Sequence, residues 1–298
     1  MDDTAPLEEV LAFECDGASL WGILTHPRVG AIESPIAVLV VVGGPQYRVG
    51  SHRQFVLLAR ALARRGFPTL RFDYRGMGDS EGDTRDFEAA GPDLGCALDA
   101  LSHACAGSRI VVWGLCDAAA AAMMFATDDP RVAGIVAANP WARSEASLAA
   151  AHVKHYYAER LLQREFWVKL LRGGLDLRAS LGTLLGNLRR AGSFYRQRPA
   201  VGQDQRFQTC MARGLAAFRG KLLLILSGND LTAKEFVQYT DSAPEWRGLL
   251  ADTKVSRIDL AEADHTFSRR IWQDRVEDET CTWLSRLGEP ATARTTNG

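Results

Sequence analysis

Long apolar runs are the first thing this sequence lacks. The longest uninterrupted aliphatic stretch, Ile36 to Val42, is seven residues, far short of the ~20 an α-helix needs to cross a bilayer, so no integral membrane segment is expected. The acidic start Met1-Asp2-Asp3-Thr4 has no apolar segment behind it, and no signal peptide is expected. Charge of one sign is not in excess either. Lys and Arg total 35 against 36 Asp and Glu, which argues against a general nucleic-acid binder. The six cysteines, at 15, 96, 105, 116, 210 and 281, never fall at C-x-x-C spacing. That pattern suits a reducing, cytoplasmic setting and neither a disulfide framework nor a zinc site. No metal or other cofactor is expected.

What is present is apolar material, 47% of 298 residues, enough for a large core in one or two domains. Val10 to Phe13 and Leu20 to Leu24 bracket Asp16-Gly17 as an antiparallel pair with a turn. The β-branched run Ile36 to Val42 predicts a strand covered on both faces. Ser51 and Gln54 spell a capping box opening a helix with Phe55, Leu58 and Leu62 on one face. Strands follow at Thr69–Tyr74, Ile110–Trp113, Val132–Ala138, Lys221–Leu226 and Val255–Leu260. The intervening helices start near Pro92, Ala118, Thr232 and Ser268. Strands alternating with helices at this spacing predict an α/β fold, an eight-stranded, mostly parallel, doubly wound sheet. Residues 141–219 interrupt it after strand 6 with a mostly helical segment, read as a cap inserted into a core of residues 1–140 and 220–288. Residues 289–298 read as a flexible tail.

The chemistry is concentrated at Val111-Val112-Trp113-Gly114-Leu115-Cys116-Asp117-Ala118. A strand runs into Gly-x-Cys-x-Ala and directly into a helix, the nucleophile-elbow pattern with cysteine in the serine position. A helix N-terminus favours a thiolate at residue 116, and the adjacent Asp117 opposes it. Gly78-Asp79-Ser80-Glu81-Gly82 matches G-x-S-x-G literally, but it leads into a polar loop, so Ser80 is expected to be a loop residue. A thiol attacking a carbonyl needs a proton acceptor. His265 lies just after the last strand, and Asp230 lies after the seventh, within Ser227-Gly228-Asn229-Asp230. Two backbone N–H groups should receive the oxyanion: that of Asp117, and that of Gly44 in Gly43-Gly44-Pro45-Gln46, since Pro45 has none. Gln46, Arg48, His52 and Trp141 are candidates for substrate contact.

Together these residues resemble the α/β-hydrolase superfamily, in which nucleophile, acid and histidine follow in the order Cys116, Asp230, His265. Three segments, Gly43–Arg53, Phe72–Ser80 and Gly114–Ala119, resemble more narrowly the first type of exosortase A system-associated hydrolase, found with bacterial exopolysaccharide and protein-sorting gene clusters. Dienelactone hydrolases are similar in placing cysteine at the elbow, but they are shorter and have no such insert.

The resemblance implies acyl chemistry through a thioester on Cys116: an esterase or thioesterase if water accepts the acyl group, an acyltransferase if an amine or hydroxyl does. A non-catalytic hydrolase-fold binding protein and a redox-sensing thiol are the alternatives. Between 141 and 219 lie fourteen Lys/Arg and five Asp/Glu. Such an excess reads either as a solvated face or as attraction for an anionic acyl donor such as acyl-CoA or an acyl carrier protein. The oligomeric state is left open.

Overall fold

Asp16 and Gly17, at φ 48° and 78°, turn the chain back between β1 (Leu7–Cys15) and β2 (Ala18–His26). The two strands pair antiparallel from Leu7–His26 to Cys15–Ala18. The computed structural model describes residues 6–27, 34–43, 46–142 and 203–289. The chain divides into two units, one of Met1–Ala142 with Phe207–Gly298 and the other Arg143–Arg206.

Six further strands complete the sheet of the first unit: β3 (Ile36–Val41), β4 (Thr69–Phe72), β5 (Arg109–Leu115), β6 (Val132–Ala138), β7 (Lys221–Ser227) and β8 (Val255–Leu260). Their spatial order is β1-β2-β4-β3-β5-β6-β7-β8. β2 meets β4 antiparallel, and every pairing from β4 across to β8 is parallel. The central strands are apolar throughout because both faces are covered. In β3, Ala37, Leu39 and Val41 face one core while Ile36, Val38 and Val40 face the other, as the two-residue period of a strand requires.

Helices supply the two outer layers. The first core is closed by α2 (Gly91–Ala104), α3 (Asp117–Phe125), α4 (Gln203–Ala217) and α5 (Leu231–Ser242), through Leu94, Leu101, Met123, Met211, Leu215 and Phe236. The second is closed by α1 (Gln54–Arg64) and α6 (Arg270–Gly288), through Phe55, Leu58, Leu62, Val276, Trp283 and Leu284. Two local expectations differ from what is found. Ser51 and Gln54 form no capping box: Ser51–Arg53 is a 3₁₀ turn, and Arg53 occupies the N-cap position with no side-chain cap. Consecutive left-handed residues His52 (φ 53°) and Arg53 (φ 60°) delay the helix to Gln54, and the Ser51 N–H is taken by Gln46 Oε1 at 3.3 Å. The second difference concerns α4. From Phe207 on it belongs to the first unit, because Phe207, Met211 and Leu215 recur at helical spacing and bury against the sheet. Among the described residues, no helix is long and apolar enough to cross a membrane.

Candidate active site

At the C-terminal end of β5 the chain makes a sharp bend. Cys116 sits between the strand and α3 with φ 63° and ψ −124°, a conformation that costs a non-glycine residue about 1–3 kcal/mol and must be held by its surroundings. Those surroundings are hydrogen bonds. The Cys116 N–H donates to Ala138 O at 2.9 Å, and the Cys116 carbonyl accepts from Ala119 N at 3.1 Å, Ala120 N at 3.3 Å and Trp141 N at 3.1 Å. Small residues allow the bend. A Cβ on Gly114 would lie 2.7 Å from backbone atoms of Ala118 and Ala119, so strand and helix approach to backbone contact. Asp117 opens α3, and its Oδ1 accepts from Ala118 N at 2.9 Å.

Two neighbouring strand ends bring the partners. Asp230 follows β7 and caps α5, its carboxylate accepting from Thr232 N at 3.0 Å and Ala233 N at 3.1 Å. Its Oδ2 also pairs with His265 Nδ1 at 2.8 Å. The Asp230 carboxylate raises the imidazole pKa, and a hydrogen bond with the Cys116 side chain raises it further, to about 10, against the opposing effect of burial. His265 is therefore held by Asp230 through Nδ1 and faces the same cavity as Cys116.

The loop bearing His265 is pinned by Asn139, a residue that sequence reasoning did not single out. Asn139 is fully buried at the end of β6 with φ 42°. Its Nδ2 donates to His265 O at 3.0 Å and Ser227 Oγ at 2.9 Å, and its Oδ1 accepts from Ser227 N at 2.8 Å. Ser227 Oγ in turn donates to Asp264 O at 2.9 Å. The available signal was its position: a polar residue ending an otherwise apolar parallel strand, at the sheet edge where α/β folds place ligands.

Cys116 and His265 open into one cavity of about 390 Å³, lined also by Gly43, Gln46, Phe55, Phe87, Leu115, Asp117 and Trp141. Gln46 and Trp141, two of the candidates for substrate contact, are thus part of the lining; Phe55 and Phe87 were not anticipated, because their apolar character reads as ordinary core. Arg48 and His52 are absent from this lining. The Arg48 guanidinium pairs with the fully buried Asp73 and with Asp79, while its N–H donates to Asp73 Oδ1 at 2.6 Å. His52 is exposed on the 3₁₀ turn. Gly44 lies outside the described residues. Ser80 takes part in the turn after β4: its Oγ donates to Asp73 O at 2.8 Å and accepts from Trp21 N at 2.9 Å. A larger cleft of about 640 Å³ lies at β1 and α2, away from all of these groups. Among the described residues, no group of three or more His, Cys, Asp or Glu is placed to hold a metal ion.

An eight-stranded sheet in this order, with a strained residue after β5, an acid after β7 and a histidine after β8, defines the α/β-hydrolase class. The chain belongs to the Hydrolase_4 family, described as serine aminopeptidase, S33, whose profile matches residues 33–184. Its elbow departs from that description in carrying cysteine. Among solved structures, the chain is similar to an esterase of Pyrococcus furiosus (17% identity over 97% of this chain and 93% of that one, TM-score 0.64). It is similar also to the esterase domain of a Rhodothermus marinus protein (17%, 95% and 100%, TM-score 0.60) and to a dienelactone hydrolase of Anabaena variabilis (15%, 95% and 98%, TM-score 0.59). At these identities the likeness speaks to the fold. Comparison with curated proteins gave no match.

Proposed function

We propose that the protein is an acyl-processing hydrolase acting on an ester or thioester through Cys116, His265 and Asp230. The observation that carries this reading is the strained backbone of Cys116 (φ 63°, ψ −124°) at the N-terminus of α3, in a cavity shared with His265. A buried structural cysteine needs no such backbone, and packing alone does not compensate its cost.

The chemistry runs in two halves. With its proton passed to His265, the Cys116 sulfur attacks the carbonyl carbon; a C–S bond forms and the carbonyl π pair moves onto oxygen. The N–H of Asp117 is the donor we assign to that oxyanion from the described residues. As the oxyanion collapses, the bond to the leaving alcohol or thiol breaks, and His265 gives its proton to the leaving group. A water then attacks the thioester with His265 taking its proton, and the acid departs from sulfur. Asp230 fixes the imidazole and stabilises its charged form. The resemblance of segments 43–53, 72–80 and 114–119 supports placing the chain with the exosortase A system-associated hydrolases. The basic excess between 141 and 219 supports an anionic acyl carrier as one donor.

Incubation with p-nitrophenyl butanoate and with butanoyl-CoA tests this reading. A burst of leaving group and a butanoyl mass on the Cys116 peptide are expected, both lost in Cys116→Ala. Unchanged turnover in that variant, or an adduct elsewhere, would overturn it. Adding amines or alcohols separates hydrolysis from transfer: a product carrying the acyl group on the added acceptor identifies a transferase.

A further inference from the structure

A second cavity, of about 200 Å³, adjoins the one that holds Cys116. Its inner wall is apolar: Val42 and Ala90 are buried, Met77 is half-buried, and Tyr74, whose hydroxyl oxygen is inaccessible, adds its ring. Thr84, Arg85 and Asp86 are exposed and form the rim. Asp93 is buried in the wall but engaged by Arg75, through N at 2.9 Å and Nε at 2.6 Å. The cavity is therefore apolar inside and carries charges of both signs at its opening.

Two residues, Phe87 and Asp117, line both cavities. Asp117 is tied to the start of α3, where its Oδ1 accepts from Ala118 N at 2.9 Å and lies against Gly43. Phe87 contributes a ring. It opens the 3₁₀ turn Phe87–Ala89, whose cap is Asp86, accepting from Ala89 N at 3.1 Å. The ring meets that of Phe207 in α4 edge-on, with centroids 5.1 Å apart and planes at 90°. Phe207 is itself buried in the first core. The Phe87 ring is thus fixed by the turn that carries it and by a buried neighbour. His265 lines the first cavity and is absent from the walls of the second. The leaving group takes its proton from His265 and departs on that side, so a chain directed toward Phe87 belongs to the acyl half of the ester.

We propose that Phe87 is a specificity-determining residue: its ring divides the two cavities and limits the protein to acyl chains that end within the first. With Phe55, Phe87, Leu115 and Trp141 around it, that chain is an apolar one of short to medium length. The room behind Phe87 is closed to it. An apolar cavity of about 150 Å³ takes a benzene, so the 200 Å³ beyond the ring has space for about eight carbon-sized atoms. Removing the ring joins the two spaces and admits longer chains. The inference rests on the reading of Cys116 as the nucleophile.

The test measures kcat/KM for p-nitrophenyl esters of straight-chain acids from two to twelve carbons. Each methylene that the protein accommodates should raise kcat/KM about fourfold, and the chain length at which the rise stops is the readout. In wild type the rise should stop inside the series. Phe87→Ala should move the limit by about four carbons or more, and Phe87→Leu should move it part of the way. Adding Met77→Trp, which fills the second cavity, to Phe87→Ala should return the limit to that of wild type. A chain-length limit is compared and not a rate, so a general loss of activity or stability does not imitate the result. An unchanged limit in both Phe87 variants, one that Met77→Trp does not restore, or a wild-type series without a limit would overturn the proposal. The anilides of the same acids give a second readout by thermal shift on Cys116→Ala with and without Phe87→Ala. A limit that moves to longer anilides supports the role of Phe87 even if no ester is turned over, an outcome that would sink only the nucleophile assignment. The same limit in both proteins would reject that role even where esters are hydrolysed through Cys116.

Discussion

One carboxylate oxygen of Asp230 serves both a helix and an imidazole: Oδ2 lies 2.8 Å from His265 Nδ1 and 3.1 Å from Ala233 N. Structural and chemical roles can therefore be separated by choice of substitution. Asp230→Asn keeps an N-cap, since asparagine caps about as well as aspartate, and unfolding in urea should shift by less than about 0.5 kcal/mol on that account. Activity should nevertheless fall by roughly 10²–10⁴, because the imidazole loses the charge that orients and stabilises it. Asp230→Ala should show the same catalytic loss plus about 1 kcal/mol of lost stability from the cap. Equal activity of Asp230→Asn and wild type would contradict the role given to this residue.

The raised pKa of His265 sets a stability window. The folded protein holds this proton up to about pH 10, while an unfolded chain releases it near pH 6.5. The contribution to stability is thus fully present below about 6.5 and disappears as pH rises from there through about 10. The side chain is one-third exposed, so solvent screens the effect. Chemical denaturation at pH 6, 8 and 10 should show a decline in wild type that is shallower in His265→Gln. Parallel curves would place the imidazole proton elsewhere.

Ser80 offers a contrast with Cys116. Ser80→Ala removes an acceptor from Trp21 N and a donor to Asp73 O, which should cost about 1–3 kcal/mol in stability. Ester turnover per folded molecule should stay within two-fold of wild type, and acyl mass should remain on Cys116. An acyl-enzyme lost with Ser80 would reverse the assignment of nucleophile.

Much of the sheet was readable because parallel strands covered on both faces leave a coarse imprint. Val132–Ala138 and Val255–Leu260 coincide with β6 and β8, and Asp16-Gly17 is the hairpin turn. The elbow was readable for a related reason: Gly114 and the buried alanines of α3 are what a backbone-to-backbone approach demands. Long-range partners were not readable. Arg48 looked like a substrate ligand because a lone cation in a glycine-rich loop carries no mark of the acid 25 residues on that engages it. Asn139 escaped notice because its importance lies in atoms from β7 and the His265 loop, 88 and 126 residues away. The start of α1 was misjudged for a local reason, two left-handed residues that no side-chain pattern announces.

Gly43 carries a consequence for how this site can vary. It lies two residues past the end of β3, and a methyl group there would overlap Asp117 Oδ1 and come within 2.6 Å of Leu115 O. Because Leu115 O is a backbone atom that no change at 117 removes, position 43 stays glycine whatever side chain stands beside the thiol. The room for that side chain is thus set one strand away, by a residue that has none of its own.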